Sequence, residues 1–398
     1  MMNRYFNRSI TPNDALVTGE ISPDDTTTLQ PLQKFTTDYT KMITSSPKSS
    51  LSPSEYFTVA SPHVSTLLVS PQNFSDIQTI ANSYPSGLTN FLGFECRLNG
   101  DESQTDWALA ISGKGDARYI LADFLNNGYL SQSSKQTYEW QQIQKFSKMW
   151  TDSNSILHNK IVGAWLEFDM PGSLPKVLVP SVFFNPANIN GITAHDPAQY
   201  EWFTKKAIPI LVGRRLSKTM ELNLRACIQK MPRKASLFIV GVMLSRKTSD
   251  IRMSVLFRDS RQIMSYLDEI GWSDDETETF ASLIKELDAK KVNRMVLDFD
   301  VGKQIGKKIA VECSFYPNHH HKEEYWKELL DFLVEKGFVT PEKRDELLRF
   351  PGKEQEHSSI VRYITHVKIV YEPGKPIKAK AYLAIRHFLD AATTMMEN

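Results

Sequence analysis

Two carboxylate pairs stand out by their spacing, Glu167-Phe168-Asp169 and Asp298-Phe299-Asp300. Side chains two residues apart share one face of an extended strand, so each pair presents two acids to the same side. Two such pairs in one cavity suit acid–base work with split pKa values, the holding of a cationic group or the neutralisation of arginines. The last is favoured over binding of Mg2+. More charge recurs at alternate positions: Glu95 with Arg97, Arg252, Arg258, Glu312, His366 with Lys368, Lys380, and Arg386. Tyr316 and Tyr382 fall on the same faces as Glu312 and Lys380. A diphosphate site calls for an excess of donors, whereas these residues are close to balanced. Balance fits internal ion pairs, or a zwitterionic or peptide ligand that meets both signs.

Other motifs carry less. His319-His320-His321 lies at a helix start, where adjacent rings cannot all turn to one ion. Asp274-Asp275-Glu276 follows Ser273, and acids there are best read as favouring a helix N-terminus. Gly113-Lys114-Gly115-Asp116 is too short for a phosphate loop, and no GxSxG, HExxH, GxxxxGK[ST] or dinucleotide fingerprint occurs. Cys96, Cys227 and Cys313 are too dispersed for a disulfide framework or a CxxC metal site and read as core.

The elements that must position these residues are mostly strands. Alternation predicts five pairs: 91–100 with 107–112, 162–170 with 176–184, 237–246 with 251–258, 295–301 with 308–316, and 363–371 with 377–386. In the first, Leu92, Phe94, Cys96 and Leu98 oppose Glu95 and Arg97. In the last, Leu383 and Ile385 oppose Lys380, Tyr382 and Arg386. Helical stretches precede the pairs. The clearest is 322–336, with Trp326, Leu329, Leu330 and Leu333 at helical spacing, a stop at Gly337 and a restart at Thr340-Pro341. Glycines at 128, 213, 271 and 337 punctuate a divergent helix–strand–strand repeat. Ten antiparallel strands tend to close, because closure removes exposed edges. With amphipathic helices outside, the polar faces line a lumen.

Composition bounds the rest. The chain has 398 residues, with 47 Lys and Arg against 46 Asp and Glu, which gives no global field for nucleic acid or an anionic membrane. No apolar run is long enough to span a bilayer and the N-terminus lacks a secretory leader, so a cytoplasmic protein is expected. Residues 1–75 read as a Ser/Thr/Pro-rich, partly irregular arm, and residues 76–398 as one αββ-repeat barrel domain.

In fold class this is α+β: five αββ units closing a ten-stranded antiparallel barrel with helices outside. Over residues 76–398 it resembles the ABBA-type aromatic prenyltransferases, the PT barrel, in architecture and repeat pattern. The Lys380-Ala381-Tyr382 step matches the family's inward Lys-x-Tyr step. Arg252-Met253-Ser254 keeps only the basic half, and Glu312 puts an acid where a base stands in the family. The resemblance implies a transferase of specialised metabolism joining an allylic diphosphate to an aromatic or peptide acceptor, with no cofactor required and magnesium optional. It implies that Lys380, Arg252 and Arg258 hold the anion and that Tyr382 and Tyr316 shield a developing cation. Glu95 would take the acceptor proton, with Glu167 and Asp169 as further catalytic candidates. Arg97, Asp298, Asp300, Glu312, His366, Lys368 and Arg386 would complete the lining. Two other readings stay open: the same barrel used for another acid–base reaction, such as cyclisation or peptide modification, and a barrel that binds a small molecule or peptide without chemistry.

Overall fold

Strands form where β-branched and aromatic residues alternate with polar ones, and their order follows from hairpins joined end to end. The computed structural model describes residues 51–127, 131–272, 277–315, 323–354 and 359–388. Its strands are β1 (Phe91–Arg97), β2 (Thr105–Ser112), β3 (Ile161–Phe168), β4 (Ser181–Pro186), β5 (Ala235–Val242) and β6 (Ile251–Phe257). They continue with β7 (Arg294–Val301), β8 (Ile305–Ser314), β9 (Gly352–Lys353), β10 (Ile360–Tyr371) and β11 (Lys378–His387). Strands β1 to β8 pair in sequence, β8 pairs with β10, β10 with β11, and β11 returns to β1. All pairings are antiparallel, so ten strands close into a barrel. Strand β9 lies outside this ring, on β10 at Val361 and Arg362, along the edge that β8 takes up only from Val367.

The seam joins the first strand to the last. Glu95 stands opposite Tyr382, and Arg97 opposite Lys380. A Cβ on Gly93 would fall 1.9 Å from the Leu383 carbonyl oxygen, so the close approach of the two strands there needs glycine.

The apolar face of the sheet meets the helices. Leu92, Phe94, Leu166, Phe168, Val311 and Phe315 are all buried in one core with Phe124, Phe146 and Leu329. Trp107 stacks on Phe168 at 4.5 Å between ring centroids. The helix Glu323–Glu335 buries Trp326, Leu329, Leu330 and Leu333, and Gly337 follows at φ 72°. Thr340 then caps Pro341–Arg349 by accepting from the Lys343 N–H. Gly213 and Gly271 also adopt positive φ, whereas Gly128 and Ser273 to Glu276 lie outside the described residues. Residues Pro53–Ala60 and Pro71–Ala81 form helices, and Tyr56, Phe57, Leu68 and Val69 are buried in the same core.

Two strand boundaries differ from the sequence expectation by four residues or more. Residues 176–180 are not strand; β4 starts at Ser181, directly after Pro180, which has no N–H to give a ladder. Strand β5 ends at Val242, and the chain then turns, with the Arg246 N–H donating to the Met243 carbonyl at 3.1 Å. That turn brings Arg246 to the mouth of the barrel.

Candidate functional site

The lumen is built by the residues that alternate with the core. Because the strands run antiparallel, the hairpin turns β1–β2, β3–β4, β5–β6, β7–β8 and β10–β11 share one end of the barrel. The helical connections leave from the other. This sorts the lumen lengthwise. Arg97, Asp106, Asp169, Arg252, Asp300, Lys308 and Lys380 lie towards the hairpin end. Glu95, Glu167, Asp298, Glu312, His366, Lys368 and Tyr382 form the middle. Phe91, Ala110, Val361, Tyr363, Ala384 and Phe388 make a small apolar cluster at the far end, with Trp165 packed against it.

The charges in the middle engage one another. The Glu95 carboxylate accepts from Lys380 Nζ on one oxygen and from the Tyr382 hydroxyl on the other. Lys368 Nζ pairs with Asp298 and lies 3.4 Å from Glu312. His366 stacks on Tyr382 with centroids 4.0 Å apart, while its Nδ1 lies 3.0 Å from the Thr365 hydroxyl. Towards the hairpin end, Arg252 grips Asp300 through two N–H donors, at 2.6 and 3.2 Å. Arg97 reaches Glu102 at 2.7 Å and Asp106 at 3.4 Å. Arg246 spans the first carboxylate pair, 3.1 Å from Glu167 and bonded twice to Asp169, which also accepts from Ser245.

Burial and neighbours set the protonation of these groups. Burial would raise the Glu95 carboxyl, but Lys380 and Lys368 outweigh it and hold the group well below its ordinary value. Glu167 has the opposite fate: burial, then the Glu95 charge, push it up to about 7 against the pull of Arg246. Asp106 rises to about 6, by burial and again Glu95, although the Met170 N–H donates to it at 2.7 Å. Asp298 is raised by burial and by Glu312, since the two acids share the Lys368 ammonium. Burial, then Lys368 and Arg294, keep His366 neutral, so its 3.6 Å approach to Glu312 is not an ion pair. Lys308 is lowered by burial and by Arg252, Lys380 and Arg246, against the pull of Glu372. Among the described residues no carboxylate stands within ion-pair distance of Lys308.

The expected residues are therefore gathered unequally. Arg258 lies six residues from Arg252, about 20 Å along the strand, and lines an outer groove with Ser260, Asp288 and Lys291. Arg386 belongs to the aromatic end, where its guanidinium lies 5.6 Å from the Phe91 ring centroid and 4.4 Å from that of Phe388. Tyr316 and the histidine run at 319–321 lie outside the described residues. Sequence reasoning passed over Asp106 and Arg246, and it set Lys308 on the polar face of its strand without counting it among the site residues. Asp106 alternates with Ala108 and Ala110, so a strand begun two residues earlier would have found it. Arg246 gave no such signal, because it sits in a turn. Among the described residues no group of three or more His, Cys, Asp or Glu is arranged to hold a metal ion, and no helix is long and apolar enough to cross a membrane.

A closed ten-stranded antiparallel ring with helices outside and a polar lumen is the PT barrel, the architecture of the ABBA-type prenyltransferases. A solved structure agrees on the fold. The prenyltransferase NotF in complex with brevianamide F and DMSPP has a TM-score of 0.50 at 10% identity, covering 84% of this chain and 94% of that one. A second NotF structure gives 0.49 at 11%, over 84% and 92%. AnaPT from Neosartorya fischeri gives 0.48 at 12%, over 90% and 97%. No protein-family profile and no curated protein matches the chain.

Proposed function

We propose that the lumen is the active site of a prenyltransferase-like transferase, joining an allylic diphosphate to an aromatic or peptide acceptor in specialised metabolism, as a cytoplasmic enzyme. The observation that carries this reading is the lengthwise division of the lumen, with Lys308, Arg252, Lys380 and Arg246 towards the hairpin end and the aromatic cluster at the other. An anionic leaving group is best stabilised by preorganised donors in a site shielded from water. The opposite end suits an organic acceptor. Phe91 and Trp165 meet edge to face at 4.9 Å, and the Trp165 indole N–H and the Asn185 side-chain oxygen are buried without a hydrogen-bond partner.

Between the two ends, Tyr382 and His366 offer stacked faces to a developing allylic cation. In the transfer, the bond from the allylic carbon to the diphosphate oxygen breaks and a bond to the acceptor carbon forms. The acceptor's proton leaves to a carboxylate. Glu95 is poorly matched to that work, because its carboxylate is tied up by Lys380 and Tyr382. Magnesium is not needed for any of these residue roles.

The raised carboxyls of Glu167 and Asp106 also favour a second reading, an acid–base reaction in the same lumen without prenyl transfer. One experiment separates them. Thermal melts are run with dimethylallyl diphosphate and with inorganic pyrophosphate, followed by mass spectrometry of mixtures with indole-bearing and phenolic acceptors. Stabilisation by both anions and a product heavier by one prenyl unit support the transferase. No stabilisation by either anion removes it and leaves the acid–base reading.

A further inference from the structure

The cation cluster at the hairpin end is not open to an anion as it stands, since three of its four members are already held by acids. Arg252 is bound to Asp300, Lys380 to Glu95, and Arg246 to Glu167 and Asp169. Of these, Arg246 differs in its support. It projects from the β5–β6 turn rather than from a strand, and its side chain is 37% exposed, against 15% for Arg252. Its Nη1 lies 3.3 Å from the Met243 sulfur, which Arg252 Nη2 also approaches at 3.7 Å, so the two guanidiniums are separated by one side chain. A rotation about the Arg246 side chain would turn it from the β3 acids towards Arg252 without moving a strand.

We infer that Arg246 is a latch: binding of a diphosphate-type anion draws its guanidinium off Glu167 and Asp169, and Glu167 takes up one proton from solvent as it is left. The inference rests on the anion-binding reading above and adds to it a coupling between anion and proton. Glu167 is the member of the pair placed to respond. Ala108 of β2 and Ser181 of β4 stand opposite it, and Glu95 of β1, Asp169 of its own strand, Lys368 of β10 and Tyr382 of β11 lie close by. Two of the three charged groups among them are acids. With Arg246 gone, Glu167 is left to the pull of Lys368, which Asp298 and Glu312 already claim. A carboxylate in such surroundings is neutralised rather than left charged. Asp169 keeps the Ser245 hydroxyl, 2.5 Å away, and is more open to water. The carboxyl of Glu167 already stands at about 7, so loss of its guanidinium partner moves it from partly ionised to neutral above that pH.

The test is calorimetric titration of the full chain with inorganic pyrophosphate at pH 7.8 and pH 6.0. Each titration is run in two buffers of different ionisation enthalpy, for the wild type and for Glu167→Gln. Comparing the two proteins cancels the proton changes of pyrophosphate itself. The wild type should take up close to one more proton per site than Glu167→Gln at pH 7.8. At pH 6.0 the difference should shrink towards zero, because Glu167 is then protonated before binding. Arg246→Gln, a change at a part-exposed turn residue, should bind about ten-fold more weakly and lose the extra proton. Equal proton counts for wild type and Glu167→Gln at pH 7.8, or full-strength binding by Arg246→Gln, overturn the latch and leave the anion site standing. Absence of pyrophosphate binding at both pH values overturns both.

Discussion

The ring of Tyr382 lies almost parallel to that of His366, with centroids 4.0 Å apart and 22° between planes. The same tyrosine donates its hydroxyl to Glu95 on the first strand. One side chain of the last strand thus ties the barrel seam to the middle of the lumen. Burial and Glu95 hold the phenol well above its ordinary value, so it stays a donor at any physiological pH.

Lys380→Ala leaves the buried Glu95 carboxylate with Tyr382 as its remaining direct hydrogen-bond partner. The expected loss is about 1–3 kcal/mol, the cost of leaving a charged group under-satisfied. Adding Glu95→Gln should recover part of it, since the stranded charge is then gone. Denaturant unfolding of the single and double variants measures both steps; an additive double variant would show that the two residues do not interact.

Glu167 makes stability depend on pH in a definite direction. Its folded carboxyl stands at about 7 against an ordinary value of 4.5, so between those values the folded chain binds more protons than the unfolded one. Stability from this group is therefore full below about pH 4.5 and is lost as pH rises to about 7, by at most about 1.4 kcal/mol per pH unit. Glu167→Gln should remove that descent. Unfolding free energies of both proteins from pH 4.5 to 8 give the difference curve, and a flat difference would contradict the placement of Glu167 in a buried acid cluster.

Gly241 makes room for an aromatic ring. A Cβ there would lie 2.3 Å from the Phe183 ring and 3.1 Å from Arg252 Cβ. Gly241→Ala should cost about 1–3 kcal/mol by overpacking, and Phe183→Leu in the same chain should restore a good part. Melting temperatures of the three variants check this; no relief in the double variant would mean that the strain lies elsewhere.

Asp300 competes for the Arg252 guanidinium. Asp300→Asn should strengthen pyrophosphate binding by about ten-fold, or about 1.4 kcal/mol, by freeing a donor pair. Titration of the variant against wild type measures it, and weaker binding would mean that Asp300 orients Arg252 rather than occupying it.

Leu383→Ala is the contrasting case on the other face of β11. Leu383 is buried in the core, and its truncation should cost about 2–5 kcal/mol. The affinity of the remaining folded protein for pyrophosphate should not change.

Much of the fold was legible in the residues themselves. Alternation of Leu92, Phe94 and Cys96 with Glu95 and Arg97 is a local property, and a strand with one apolar face follows from it wherever the strand lies. The same holds for Leu383 and Ile385 against Lys380 and Tyr382. Helix ends were equally local, because Gly337 and Thr340-Pro341 act through their own backbone preferences. Proline interrupted the alternation read over 176–180, and the turn after Val242 cut short the strand read through 246.

Which charges meet was decided only by closure. The partner of Glu95 lies 285 residues away, at Lys380, and the partner of Asp298 is Lys368. Both contacts depend on the register of strands that pair across the seam or near it, and a one-residue slip would turn those side chains out of the lumen. Arg246 shows the limit most clearly. Alternation says nothing of a side chain on a turn, and the contact with Glu167 and Asp169 exists because the ring brings the β5–β6 hairpin over β3. The sequence determined the inventory of lumen groups and the face each strand buries. The tertiary structure decided how those charges pair and which carboxylates are held near neutrality, because burial and proximity are properties of the closed barrel and of no single strand.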